Sequence, residues 1–198
     1  MPVAAQAGDA GVSGASTIPA WPVDRNEPFW VFGYGSLMWN PGFPFAERHL
    51  ATLQGYHRRF CIYSHRYRGT RERPGLVLGL DRGGSCRGLV FRVQPEHVAE
   101  TMAYLWDREM VTNVYRPTAF SFKTAAGQVK AWAFVVDRKH GQYCGALCHD
   151  EVAAMIRHAH GQRGPNLEYL ENTVSHLEEF GIRDRYLTGL LRQVRANG

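Results

Sequence analysis

The stretch Val31-Phe32-Gly33-Tyr34-Gly35-Ser36-Leu37-Met38-Trp39 decides how this chain is read, because an apolar, strand-like run passes straight into a loop punctuated by two glycines. Gly33 and Gly35 alternate with Tyr34 and Ser36. Residues without a Cβ take positive φ at little cost, so such a loop is expected to turn successive N–H groups toward one point, where a carboxylate or an oxyanion fits. The same residues also read as a tight turn at a strand end with a buried tyrosine.

Seventy residues on, Tyr104-Leu105-Trp106-Asp107-Arg108-Glu109 ends a segment of helical period that starts near Pro95. Val98, Met102, Leu105 and Glu109 follow one another at steps of four, three and four, which is one face of a helix. Glu109 therefore continues an apolar stripe, whereas Asp107 and Glu100 fall off it. An inward carboxylate is costly to desolvate and tends toward a raised pKa, which suits a general base working near neutrality. The plainer reading pairs Glu109 with a core arginine.

With these two segments in place, FWVFGYGSLMW, GYHRRFCIYSHRYRG, RPGLVLGL, YLWDREM and GPNLEYL, in that order over roughly residues 29 to 190, resemble the ChaC-type gamma-glutamylcyclotransferases. The resemblance implies an α+β fold in which a small mixed β-barrel with flanking helices holds a ligand cavity. It implies cleavage of a gamma-glutamyl amide, typically glutathione, to 5-oxoproline and the released amine, with Glu109 as catalytic residue. It further places Gly33, Tyr34, Gly35, Ser36, Leu37 and Met38 around the gamma-glutamyl group and makes Tyr115 a candidate to orient glutamate or substrate. Tyr115 reads equally well as an ordinary buried tyrosine. Many relatives carry two glycines before that tyrosine; Asn113 and Val114 stand there here. Val114, β-branched, disfavours positive φ, so the pocket wall beside Tyr115 is expected to differ.

The implied reaction is chemically economical. A gamma-glutamyl group carries its own nucleophile, the α-amine, which closes a five-membered ring on the side-chain carbonyl. The protein needs a base, donors for carboxylate and oxyanion, and an acid for the leaving amine, with no metal or other cofactor.

The rest of the chain sets bounds. At 198 residues and 44% hydrophobic, it is long enough for one sizeable core. Residues 1–25, rich in Ala, Gly and Ser, read as a flexible tail ahead of a single domain over 26–198. The start lacks the basic opening and continuous apolar core of a signal peptide, and no later run is long enough to span a membrane, so a cytoplasmic protein is expected. Cys61, Cys86, Cys144 and Cys148 form no disulfide framework, and with His140, His149, His158 and His160 they match no common structural zinc spacing.

Lys and Arg together number 23 against 18 Asp and Glu, and almost all the cations are arginine, the side chain that grips carboxylates bidentately. The cluster Arg58-Arg59 and Arg66 to Arg73, with Tyr63 and Tyr67 interleaved, raises a nucleic-acid reading. No recognised RNA- or DNA-binding motif accompanies it, so a solvated loop with one or two arginines at a pocket entrance is expected instead. Two other readings stay open: a cyclotransferase for other gamma-glutamyl amines or dipeptides, and a non-catalytic module that binds an anionic metabolite.

Strands are expected near residues 30–33, 51–63, 76–80, 87–93, 118–123 and 130–136, a helix over 95–109, and three helices between His149 and Val194. Asp150-Glu151 opens the first of these and Gly161 closes it; Pro165-Asn166 and Gly181 bound the second, and Asp184 opens the third.

Overall fold

A computed structural model describes residues 29–125 and 127–196. The expected tail, and the start of the domain at residue 26, lie outside the described residues. Phe29–Gly33 forms β1, Glu47–Ser64 β2, Gly75–Val93 β3, Tyr115–Thr124 β4 and Gly127–Val136 β5. They hydrogen-bond in the order β2-β3-β1-β5-β4. The β1–β3, β2–β3 and β4–β5 pairs are antiparallel, and β1 meets β5 in parallel at Val31 and Trp132. The sheet curls until its edges approach, with Tyr56 of β2 edge-on to Phe120 of β4 at 5.1 Å between ring centres. The result is the mixed half-barrel of an α+β fold.

Two strands expected at 76–80 and 87–93 are one. β3 runs unbroken for 19 residues against the 18 of β2. The glycines that read as a break bend the hairpin instead: the register shifts between Gln54 and Tyr56 around Gly55, while Gly83 and Gly84 opposite carry φ of 105° and 65°. A bulge lets long strands turn a corner without losing their ladder. β3 consequently serves twice, pairing β1 through Leu89–Val93 and meeting β5 at Leu80 and Val135.

Helix α1 spans Val98–Glu109 after a 3₁₀ turn at Pro95–His97; it buries Val98, Met102 and Leu105 of the predicted stripe, together with Thr101, and leaves Glu109 half-buried at its end. α2 is His149–His158, α3 Asn166–Glu179 and α4 Arg185–Ala196. Glu151 accepts the Cys148 N–H at 2.7 Å to cap α2, and Asp184 accepts the Leu187 N–H at 3.1 Å to cap α4. α2 stops before Gly161, because Ala159 turns extended and the chain enters a small hairpin, His160–Gly161 (β6) against Gly164–Pro165 (β7). Among the described residues no helix is long and apolar enough to cross a membrane.

The basic loop after β2 docks on that hairpin. Gln162 and Arg163 donate their N–H groups to Arg66 O and Tyr67 O at 2.8 and 2.9 Å, and the Arg163 and Arg66 guanidinium groups lie over the Tyr67 ring. Backbone touches backbone at its root. A Cβ on Gly69 would stand 2.0 Å from Gly75 N, and one on Gly161 would stand 2.5 Å from Gly69 N.

The open edge of β3 near Leu76 is closed by a side chain. Buried Asn166, the first residue of α3, accepts the Leu76 N–H at 2.6 Å and donates to Leu76 O at 2.8 Å, as a neighbouring strand would. This fixes α3, and Tyr169 with it, against the sheet. Asn166→Ala leaves both backbone groups unpaired in the core and is expected to lower unfolding stability by about 2 kcal/mol or more in denaturant titrations. A variant as stable as the parent would mean that the pairing does not hold α3.

Candidate active site

At the C-terminal end of β1 the chain enters a 3₁₀ turn, Ser36–Met38, with Met38 N–H donating to Gly35 O at 2.8 Å. The amides of Ser36 and Leu37 open that turn and so have no acceptor within it. Beside them lies a cavity open to solvent, whose space counted with the solvent at its mouth is about 340 Å³. Tyr34, Gly35, Ser36 and Leu37 form one wall, Leu78 and Phe134 the sheet side, and Glu109, Tyr115 and Tyr169 the remainder.

Of the residues singled out from the sequence, Glu109, Tyr34, Gly35, Ser36, Leu37 and Tyr115 therefore meet around one space. Gly33 and Met38 do not line it. Gly33 belongs to β1, paired with Leu89, and Met38 is fully buried in the core. The expected positive φ is absent as well: neither Gly33 nor Gly35 has it, and Gly35 sits at φ −135°. What distinguishes position 33 is crowding, since a Cβ there would stand 3.1 Å from Leu37 Cβ and 3.2 Å from Phe91 Cε2. A Cβ on Gly35 would instead point at the cavity, 3.6 Å from Leu78 Cδ1 and 4.0 Å from the Tyr169 hydroxyl.

Burial raises the pKa of Glu109 above the usual carboxylate range, and the adjacent Arg108 guanidinium, Nε to Oε1 3.2 Å, works against that rise. Both expectations for this residue thus hold in part: it faces the cavity and it pairs with an arginine. Asp107 is exposed. Three phenols surround the carboxylate. Tyr34 donates to Phe134 O at 3.0 Å and Tyr115 to Leu78 O at 2.8 Å. Burial pushes both well above their ordinary values, with nearby Glu109 adding to the rise. Tyr169 is pushed up to about 12, again by burial first. All three remain neutral donors near pH 7.

A family model for ChaC-like proteins matches residues 29–197. The chain belongs to the ChaC-like family. It is 38% identical over 169 residues to the glutathione-specific gamma-glutamylcyclotransferase of Escherichia coli K12, covering 85% of this chain and 73% of that one. To the human glutathione-specific gamma-glutamylcyclotransferase 1 it is 32% identical over 190 residues, covering 90% of this chain and 86% of the relative. The crystal structure of the yeast gamma-glutamylcyclotransferase specific to glutathione superposes with a TM-score of 0.76 at 25% identity, over 86% of this chain and 99% of that one.

In this ChaC-like chain the departure at Asn113-Val114 resolves simply. Asn113 takes the left-handed conformation at φ 56°, which asparagine tolerates. Val114 is not asked to; it packs with Cys61, Ile62 and Val136. Among the described residues no arginine lines the cavity, contrary to the expected entrance role. Arg58 is buried in the core, and Arg68 bonds Pro165 O while lying over the outer face of the Tyr169 ring. Among the described residues no three His, Cys, Asp or Glu side chains gather to hold a metal: Cys61 and Cys86 are buried apart from Cys148, which caps α2.

Sequence reasoning missed Tyr169 and Arg108 as site residues, although the first stands in GPNLEYL and the second directly precedes the glutamate. Gly35→Ala tests the cavity wall. The methyl meets only ordinary van der Waals contacts, so thermal stability is expected to hold. Displacing the bound group by about an ångström is expected to lower kcat/KM about tenfold or more. A variant with parental kinetics would mean that the ligand does not lie against Gly35.

Proposed function

We propose that this chain cleaves glutathione to 5-oxoproline and Cys-Gly by internal attack, with Glu109 as the single proton carrier. The observation that carries this reading is a half-buried carboxylate of raised pKa facing a glycine-bearing loop across one cavity. The names of the similar proteins from Escherichia coli, human and yeast support the substrate.

The gamma-glutamyl group would lie along Tyr34–Leu37, its α-carboxylate near the uncommitted amides of Ser36 and Leu37. Glu109 takes a proton from the α-ammonium. The freed amine bonds to the γ-carbonyl carbon, and the electron pair moves onto oxygen. Collapse of that oxyanion breaks the bond to the cysteinyl nitrogen, which takes the proton Glu109 returns; the ring nitrogen's second proton follows by way of the same carboxylate, so the lactam keeps one N–H and Cys-Gly departs as its ammonium. Atoms balance with no water, metal or oxidant. Gly33 and Met38 belong to this proposal only as supports, holding the loop from behind, and the neutral Tyr115 hydroxyl as a fixed dipole beside the carboxylate. A cytoplasmic location is part of the same reading, and four free thiols suit a reducing compartment.

The test is a direct assay of 5-oxoproline from glutathione and from gamma-glutamyl dipeptides. Glutathione is expected to show the higher kcat/KM; a preference for gamma-glutamyl-alanine would move the assignment to a sister activity. Glu109→Gln keeps shape but accepts no proton, and kcat is expected to fall by about 10² to 10⁴ while the protein folds and binds glutathione. Asp107→Asn, altering an exposed carboxylate, is expected to retain most activity. A Glu109→Gln protein keeping more than about a tenth of parental kcat sinks the mechanism.

A further inference from the structure

The guanidinium of Arg108 is committed on three sides. Nη1 donates to Asn40 O at 2.7 Å, Tyr104 Oη at 2.8 Å and Pro41 O at 3.3 Å. Nη2 donates to Ser36 Oγ at 2.9 Å, and Nε faces Glu109 Oε1 at 3.2 Å. The turn that offers those carbonyls is itself built for the contact. Gly42 has φ 75°, and a Cβ on it would stand 2.0 Å from Tyr104 Oη, so only glycine lets residues 40–42 lie against the Tyr104–Arg108 pair. The far edge of the fork is thus anchored to backbone, and the near edges reach two walls of the cavity, the glycine-bearing loop and the carboxylate. Among the described residues Glu109 Oε2 has no partner.

Resting on the reading of Glu109 as the base, we propose that Arg108 is its positioning residue, holding Oε1 and Ser36 in one rigid fork so that Oε2 is the oxygen that takes the ammonium proton and hands it to the leaving amine. Lysine, a point charge without the planar fork, cannot hold both partners. The groups that face the carboxylate from other elements are the hydroxyls of Tyr34 in the loop after β1, Tyr115 on β4 and Tyr169 on α3, all neutral, so Arg108 is the cation that opposes protonation of Glu109. Without it the carboxyl keeps its proton to higher pH.

The experiment is the pH profile of glutathione turnover, read as 5-oxoproline, for the parent, Arg108→Met and Arg108→Lys. In Arg108→Met the acid limb of kcat/KM is expected to move up by about one pH unit or more. Turnover at neutral pH should fall about tenfold or more, with part regained as pH rises. Arg108→Lys, retaining charge, should keep the limb near its parental place but lose about tenfold in kcat, because the fork is gone. A folded Arg108→Met with an unmoved limb overturns the proposal, and so does Arg108→Lys with parental kcat. Should Arg108→Met fail to fold, the kcat of Arg108→Lys decides alone. An active Glu109→Gln would refute the base itself, whereas an inactive Glu109→Gln beside an unmoved limb removes only the role of Arg108.

Discussion

A single buried cation ties the sheet, the glycine-bearing loop and the helical back half together. Arg58, in the interior of β2, donates through Nη1 to Tyr34 O at 2.6 Å, through Nη2 to Arg87 O on β3, and through Nε meets Asp184 Oδ2 at 3.2 Å. A charge removed from water persists in a core only when its donors are met and a counter-ion stands by; stripping one member from such a pair costs about 3 to 5 kcal/mol. Asp184 does double duty, since it also caps α4. The direction of the Tyr34 carbonyl, and hence the way the chain leaves β1 toward Ser36, is set from beneath by a group that never reaches the cavity.

Above that anchor the cavity balances two opposed effects on one carboxylate. Desolvation favours the protonated form of Glu109 and Arg108 favours the ionised one, with desolvation the larger. Each unit of displacement corresponds to about 1.4 kcal/mol between the two forms. The surrounding phenols, held as neutral donors by burial, supply dipoles without adding charge. A proton carrier that must both take and return a proton is served by a carboxyl on which both effects act.

Much of this was legible in the sequence because it depends on periodicity and local chemistry. The stripe Val98, Met102, Leu105, Glu109 announced which face of α1 turns inward, and Asp184 and Gly181 marked helix ends by capping rules that operate over a few residues. What escaped depends on distant partners. Gly83-Gly84 read as a break because nothing local reveals that Gly55 bulges opposite them. Gly33 read as a position of positive φ, when what distinguishes it is the close approach of Leu37 and Phe91. Arg58 and Arg68 were grouped with a solvated loop, although the first is buried through contacts 24 to 126 positions away in the chain. Arg108 was invisible for the same reason, since its acceptors at 36, 40 and 41 come from another part of the chain.

The backbone contacts among Gly69, Gly75 and Gly161 bear on how this protein can change over generations. Surface loops ordinarily drift in sequence and length. Here the root of a surface loop is welded to the β6–β7 hairpin with no room for a side chain at any of the three positions. Variation is therefore confined to the tip, Thr70 to Arg73, where the side chains are exposed and the Thr70 hydroxyl accepts the Arg73 N–H at 3.1 Å. The root stays fixed, and it is the root that joins Arg68 to Tyr169. Divergence among descendants of this chain should thus alter the charge the loop presents to solvent long before it alters the shape of the cavity behind it.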